Sequence, residues 1–484
     1  MAEIDRGSWE SRGHREPKLL RVVMVTLIVA VLFVLSLVIL SNPSSEILPT
    51  LVPAGITYTS HATIYIDGNG QFTNASGVVW GSGTVADPYI IEGWDISASL
   101  AHGIRIQNTN AYFIVRDCYV HDSGPSYYGI SLHAVNGIVS NNTCWNNEYG
   151  IALDSSSDNN TLSNNTCSDN TIIGIYLDSS SNNTLSNNTC SNNYDGIYLD
   201  SSSNNTLISN NCSNNWAGIA LDSSSDNNTL NNNTCSDNTV IGISLGYSSN
   251  NNTLSNNNFS NNQYGVILGY SSSNNTLISN NCSSNSGMGI FLYESSNNNT
   301  LIGNNCSSNV LEGIGLGSSS NNTLSDNTCN SNSGVGIRLW SSSDNNISWN
   351  QVCNNTLEGV YILSGSDNTI WNNTFIGNNG AGTVYDPTHI QASDDGTNNW
   401  WNTSGTPHGY GNYWSDLTTP DSNGDGIVDD PFDYVIDGSA GAKDYYPLMT
   451  PSIPPYIPEF SDLVVPIVGL MLILLIFDRA RKKP

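Results

Sequence analysis

Basic residues are scarce: 13 Lys and Arg stand against 41 Asp and Glu, a net charge of −28 at pH 7. Residues 1–21 hold five basic and four acidic side chains and residues 478–484 four and one, which leaves Arg105, Arg116, Arg338 and Lys443 against 36 carboxylates in between, a net of −32. That middle region repels phosphate backbones, which excludes nucleic acid as a partner. Charged residues are only 11% of the chain, so a salt-adapted acidic surface does not explain the excess. Cations and neutral polar ligands such as sugars remain compatible. Of five methionines only Met288 and Met449 lie in the middle region, where a copper site would draw on Met, His and Cys. There is no Cys-x-x-Cys pair to suggest zinc. Nor does the middle region hold a stretch long or periodic enough for a helix.

A short repeat is what is present. Gly-Ile or Gly-Val pairs begin at Gly103, Gly129, Gly150, Gly174, Gly196, Gly218, Gly242, Gly265, Gly289, Gly313, Gly336 and Gly359, eleven intervals over 256 residues and a mean period near 23. Each unit reads Gly-Ile-x-Leu, a Ser/Asp/Asn run, Asn-Asn-Thr-Leu, then Asn-x-Cys or Asn-x-Phe, which is three strand-like pieces between turn formers. So short a period, built of β-pieces alone, predicts an all-β solenoid, because one coil cannot bury its apolar side chains by itself. Alternation turns Ile151 and Leu153 to one side and Ala152 to the other, and the same holds for Ile175 with Leu177 and Ile197 with Leu199. The Leu of Asn-Thr-Leu, from Leu162 and Leu185 to Leu324, forms a second column. A dozen coils at ~4.8 Å predict a rod about 55 to 60 Å long. Asn tolerates left-handed backbone at the corners, and its amide can bond its equivalents above and below. Disorder would have no reason to keep Leu and Cys in register.

Ten cysteines follow the repeat: Cys118, Cys144, Cys167, Cys190, Cys212 and Cys235, then Cys282, Cys306, Cys329 and Cys353, with Phe259 filling the gap and Phe375 one period after Cys353. A position that accepts Cys or Phe is an apolar core position. In-register side chains point the same way and disfavour the disulfide torsion of about 90°, so a reduced ladder is expected, with disulfides as the alternative for an extracellular chain.

Val22 to Leu40 is uncharged and follows Arg12, Arg15, Lys18 and Arg21, which marks a membrane span with its N-terminal side in the cytoplasm. No small-x-small site follows, so it reads as an uncleaved signal anchor. Leu463 to Phe477 is a second apolar run, ahead of Arg479, Arg481, Lys482 and Lys483. The chain then divides into a cytoplasmic basic segment (1–21), the signal anchor (22–40), a linker and lead-in (41–61), the β-helix (62–397), a cap with an acidic loop (398–448), a Pro-rich stalk (449–460), a transmembrane or sorting segment (461–477) and a basic tail (478–484). This describes a cell-membrane protein with its ectodomain on the extracellular surface.

The Gly-Ile-x-Leu, Asn-Asn-Thr-Leu, Asn-x-Cys coil resembles the right-handed parallel β-helix repeats of NosD-like surface and periplasmic proteins, a group overlapping with carbohydrate-binding and sugar-hydrolysing β-helices. Gly81-Ser-Gly-Thr with Asp87-Pro-Tyr-Ile-Ile-Glu-Gly-Trp94, and Gly411-Asn-Tyr-Trp-Ser-Asp416 through Asp444-Tyr-Tyr-Pro-Leu448, are similar to the two ends of such domains in archaeal surface proteins. Pro458, Glu459 and Phe460, ahead of an apolar run and a basic end, are similar to archaeal PEF-type sorting signals, which implies cleavage by a sortase-like membrane enzyme. The resemblance implies a right-handed parallel β-helix of about 12 coils and carries little about activity. Copper handling, after which the family is named, is not expected: His102, His121 and His133 lie on neighbouring coils but show no ligand spacing and read as corner residues.

Calcium has better support. Asp421, Asn423 and Asp425 place oxygens at loop positions 1, 3 and 5, Gly426 allows the sharp turn, and Ile427 offers its carbonyl. Phe432 stands where an EF-hand loop has its bidentate Glu, which leaves Asp429, Asp430 or Asp433 to close the site. On the solenoid, Asp154, Asp178, Asp200 and Asp222 follow Gly-Ile-x-Leu on four successive coils, before Gly246 and Gly269. They form a carboxylate row at about 5 Å spacing, which raises some pKa values or attracts a cation. Tyr176 and Tyr198 stand beside it, and rings flanked by carboxylates suit a polysaccharide or other glycan ligand. The expectation is therefore a carbohydrate-binding or adhesive surface protein. The alternatives are a hydrolase or lyase, a structural envelope component, or a copper-handling accessory protein. No acid is distinguished from a base in that row, and Arg105 and Arg338 lie on other coils, so no catalytic residue is assigned. About twenty N-x-S/T sequons, among them Asn74, Asn159, Asn182, Asn204, Asn298 and Asn402, make a glycoprotein possible, with occupancy expected at Asn74 and Asn402 because stacked amides could not carry a glycan.

Overall fold

The structure, a computed structural model, describes residues 57–403, 409–417, 421–429 and 433–452. The two predicted spans, Asp430, and the sorting residues Pro458, Glu459 and Phe460 lie outside these. Among the described residues no helix is long and apolar enough to cross a membrane.

Each kind of strand-like piece builds its own sheet. The Gly-Ile-x-Leu pieces form a 14-stranded sheet from Ile64–Asp67 to Ala392–Asp394, and the Asn-Thr-Leu pieces a second 14-stranded sheet from Val78–Trp80 to Thr369–Trp371. The Asn-x-Cys pieces form six strands from Thr59–Ser60 to Thr189–Ser191, continue as single bridges to Gln351, and end in a three-stranded sheet that includes Tyr413–Trp414. Among the described residues strand pairing is parallel except where Val78–Trp80 meets Tyr89–Glu92 and in the short pair Tyr434–Val435 with Lys443–Asp444, and the single bridges Thr84 to Asp87 and Ile427 to Leu448 are also antiparallel. Ile151, Ile175, Ile197 and Ile219 stand in register, as do Leu162, Leu185 and Leu207. All are fully buried, so the core runs as columns along the solenoid. Each such side chain contributes roughly 1.5–3 kcal/mol by leaving water.

The sulfur column departs from the expected series at both ends. Cys144, Cys167 and Cys190 are in register, and the bridges carry the column through Cys212, Cys235, Phe259, Cys282, Cys306 and Cys329. Cys144 pairs with Val120, however, and Phe375 with Val352. Cys118 therefore lies two residues before the column and Cys353 one residue after it. All ten thiols are free and buried, and burial pushes Cys118 up to about 12 and Cys353 to about 11.

Corner chemistry explains the Asn-Asn-Thr motif. Asn159, Asn182 and Asn204 turn the chain at φ values of 60°, 59° and 58°. The next residue stacks: Asn183 Oδ1 accepts the backbone N–H of Asn160, and Asn205 Oδ1 that of Asn183, each at 2.8 Å. A second column bonds amide to amide from Asn142 through Asn165, Asn188 and Asn210 at 2.9–3.1 Å, and a third does so from Asn147. Corner N–H groups with no sheet partner are thereby satisfied, and the Asn side chain offers the acceptor and donors in one planar group. In the Asn-Asn-Thr sequons other than that of buried Asn372, the acceptor Asn is the exposed turning residue and its neighbour is the stacked one. Stacking therefore does not block glycosylation at these sites, contrary to expectation. At the C-terminal end an aromatic plug covers the core: Trp414 stacks on Phe375 at 4.4 Å and on Tyr434 at 4.0 Å.

Candidate functional site

Alternation leaves the outward face of the Gly-Ile sheet free for other chemistry, and its first half carries the predicted residues. Tyr176 pairs with Tyr198, and Asp178, Asp200 and Asp222 stand in register, with Asp154 one coil earlier. Ring centroids run Tyr128, Tyr149, Tyr176, Tyr198 at 4.9, 5.7 and 5.8 Å. Hydroxyls temper the row of like charges. Tyr198 Oη donates to Asp222 Oδ2 at 2.9 Å, Ser131 Oγ to Asp154 at 3.2 Å, Ser179 to Asp178 at 2.9 Å and Ser201 to Asp200 at 3.2 Å. Burial holds the Asp154 and Asp222 carboxyls above their ordinary range, while burial first and neighbouring carboxylates second raise the Tyr176 and Tyr198 hydroxyls.

Sequence reasoning missed Asp195. It precedes Gly196 at a position held by Ile173 and Ala217 on the adjoining coils, and it is 9% exposed. Among the described residues its carboxyl makes no hydrogen bond. Burial, with Asp222 close by, pushes it up to about 7. A carboxylate at a position held mostly by apolar residues, and shared only with Glu312 and Glu358, was the available signal. Asp195 differs from the regular row in that its carboxyl is raised by burial with Asp222 close by, whereas the carboxyls of the row accept hydrogen bonds from hydroxyls.

The second half of the face is aromatic, so the Tyr176 and Tyr198 cluster is not the only organised patch. After Asp222 the row continues as Gly246, Gly269, Tyr293, Gly317 and Trp340. Glycine makes room for rings of the following coil: a Cβ on Gly269 would stand 2.3 Å from the Tyr293 ring, and one on Gly317 2.5 Å from Trp340 Nε1. Phe291 lies 5.1 Å from Tyr293 and 5.5 Å from Trp340. The Arg338 guanidinium sits 5.7 Å from the Trp340 ring and 5.5 Å from Tyr361, and its Nη1 donates to Glu312 Oε1 at 2.8 Å.

The acidic loop folds around its own oxygens. Asp421 accepts from the N–H groups of Gly424 and Gly426 at 2.6 and 2.9 Å, Asn423 and Asp425 each accept at 2.9 Å from the N–H two residues on, and Asp429 accepts from Ser422 N–H at 2.9 Å. These oxygens are the donor type that calcium takes, and Asn423, Asp425 and Asp429 border a cleft with Trp400 and Tyr445. Copper does not fit. The His102 ring nitrogens face Tyr128 N–H and Arg105 Nη1 at 3.1 and 3.0 Å, while His121 lies between Asp122 and Asp95 at 2.7 and 2.9 Å. Burial and Arg105 lower His102 to about 4. The thiols are inside the core, and among the described residues no group of three or more His, Cys, Asp or Glu converges as a metal cluster.

Comparison with known proteins gives two family matches. The model for the periplasmic copper-binding protein NosD matches residues 245–419, and that for the right-handed β-helix region matches 54–193 and 128–282. No curated protein matches the chain. Among solved structures, a point mutant of the periplasmic alginate epimerase AlgG is 15% identical over 74% of this chain and 99% of its own, with a TM-score of 0.43. The A-module of the Azotobacter vinelandii mannuronan C-5 epimerase AlgE4 is 15% identical over 63% and 86%, with a TM-score of 0.40. The Dettilon tailspike protein is 14% identical over 60% and 62%, with a TM-score of 0.44. Coil register and the two family matches together support a NosD-like right-handed β-helix repeat protein.

Proposed function

We propose that this is a surface β-helix protein that binds carbohydrate along the outward face of the Gly-Ile sheet. One observation carries the reading: Tyr176 and Tyr198 are held in register beside Asp178, Asp200 and Asp222, with Tyr198 bonded to Asp222 at 2.9 Å. Rings offer a stacking surface for sugar C–H faces, and carboxylates accept from sugar hydroxyls. The face is long and repeats at ~4.8 Å, which suits a polymer better than a small molecule. Tyr198→Ala should weaken glycan binding by about 1–2 kcal/mol, measured by titrating the full chain with whichever glycan an array identifies. Asp200→Asn separates the carboxylate's role from the ring's. If neither change alters binding to any recognised glycan, the face is a solvated corner and the protein a spacer.

Anchoring through 22–40 and 461–477, an archaeal surface location and sortase-like processing at Pro458, Glu459 and Phe460 belong to the same reading and rest on sequence pattern. Calcium would be held by Asp421, Asn423, Asp425, the Ile427 carbonyl, Asp429 and Asp430. Millimolar calcium should then raise the melting temperature in the wild type and leave Asp421→Ala unmoved, because a ligand bound only to the folded state stabilises it by mass action. An unchanged wild-type melting curve would reduce the loop to an acidic turn.

A further inference from the structure

We infer that the second half of the face holds a separate binding site for a neutral pyranose unit, with Trp340 as platform and Arg338 as hydrogen-bond donor. Gly315 and Gly317 occupy one coil, and without side chains there the Trp340 indole lies across that coil. A Cβ on Gly315 would stand 3.1 Å from Trp340 Cη2, and the indole reaches Phe291, two coils away, at 5.5 Å. A partly buried indole supported by glycine backbone and a second ring gives one flat surface, the shape that the C–H face of a sugar ring covers.

Arg338 supplies direction. Glu312 is 6% exposed and fixes Nη1 at 2.8 Å, while the Trp340 and Tyr361 rings bracket the guanidinium. The Arg338 side chain is 34% exposed, and its Nε is buried without an acceptor. A guanidinium pinned in this way has Nη N–H groups left for ligand hydroxyls at little further cost in side-chain entropy, whereas the buried Nε is out of a ligand's reach. Charge selects a neutral ligand: Glu312 already compensates the arginine, and a region carrying −32 repels polyanions. The class of ligand rests on the reading above, but the residues do not, since Tyr198 lies six strands back in the sheet order.

The test is to titrate the full chain with cellohexaose, mannohexaose, chitohexaose and hexagalacturonate, following tryptophan fluorescence and calorimetry. At least one neutral hexasaccharide should bind, and Trp340→Ala and Arg338→Lys should each weaken it roughly tenfold, the scale of one lost stacking or forked contact. Arg338→Lys keeps the charge on Glu312, so an unchanged melting temperature separates lost binding from lost folding. Neutral binding that survives both variants but fails in Tyr198→Ala overturns this site and leaves the first reading standing. Loss in these variants with Tyr198→Ala unaffected does the reverse. Tighter binding of hexagalacturonate than of every neutral probe overturns the neutral assignment, and no binding by any probe overturns both.

Discussion

Two halves of one sheet face share a backbone and inward columns yet carry opposite chemistry. From Tyr128 to Asp222 the position after the inward Leu is an aspartate on four successive coils, and hydroxyls of Ser131, Ser179, Tyr198 and Ser201 are turned onto those carboxylates. From Gly246 to Trp340 the same position holds glycine or a ring, and the buried charge is a compensated pair, Arg338 with Glu312. Parallel in-register stacking makes each half amplify its own choice. A repeated carboxylate meets a like charge ~4.8 Å away and must find donors, protons or cations, whereas a glycine lets the next coil's ring lie down. The inward columns thus hold the fold while two outward positions set the chemistry, and one chain can present an acid strip and an aromatic strip on a single rigid rod.

Asp195 offers the strongest way to break this comparison, because it makes the acid half alone sensitive near neutral pH. Burial raises its carboxyl from the ordinary range to about 7. Between about pH 4 and 7 the folded chain therefore holds a proton that the unfolded chain has lost. Stability is fully present below that window and falls by ~1.4 kcal/mol per pH unit as pH rises through it, up to about 4 kcal/mol in all. Asp444 in the cap is raised to about 7 by its own burial and adds a similar slope, although Trp414 Nε1 and Asn412 N–H donate to it at 2.9 and 2.7 Å. Asp195→Asn should remove its own contribution, measured as urea unfolding from pH 4 to 8. A variant with the wild-type slope would mean that Asp195 ionises freely and that the acid half holds no proton of its own.

Glycine substitutions probe the other half. In Gly317→Ala the new Cβ would meet Trp340 Nε1 at 2.5 Å and Cε2 at 2.7 Å, parts of a rigid ring already packed on Phe291. In Gly246→Ala it would meet Asp222 Oδ1 at 2.4 Å, the end of a flexible side chain that can rotate away by loosening its bond from Tyr198. Overpacking against the indole should cost about 1–3 kcal/mol, and the carboxylate should yield for less than about 1 kcal/mol. Equal shifts in melting temperature for the two variants would show that the rings of the second half are no more fixed than the carboxylates of the first.

Much of this was legible in the sequence. The Gly-Ile spacing locates the coils, and the Leu and Cys columns follow from strand alternation alone. Cys118 and Cys353 were misplaced because spacing counts residues and cannot see where a corner takes up an extra one. Asp195 was hidden for a sharper reason. With Ile197 inward, strict alternation also sends residue 195 inward, but a Cβ on Gly196 would stand 2.9 Å from Cys212 Cβ, so the glycine itself takes the inward place and Asp195 is turned out. The aromatic patch was invisible because Phe291 stands at a different repeat position from Tyr293 and Trp340, and Trp340 lies two coils from the other two. They meet only because the coil of Gly315 and Gly317 carries no side chains between them.

The smallest effect sharpens the comparison furthest, because it asks whether hydroxyls or merely the count of charges organise the acid half. Tyr198→Phe keeps the ring and removes the donor 2.9 Å from Asp222, a partly buried bond worth about 0.5–1.5 kcal/mol. Asp222 would also lose the contact that favours its ionised form, so its carboxyl, already raised by burial, should titrate still higher. Tyr361→Phe is the matching change in the aromatic half. It removes a 3.2 Å bond to Asp395 at a more open position and should cost less. Thermal unfolding ranks the two variants, and carboxyl titration by NMR follows Asp222. Glycan affinity should be unchanged in Tyr198→Phe if the sugar uses only the ring, and reduced if it needs the ordered carboxylate. Should the two variants lose equal stability while Asp222 titrates as before, the hydroxyls are bystanders and the two halves differ only in how many charges they carry.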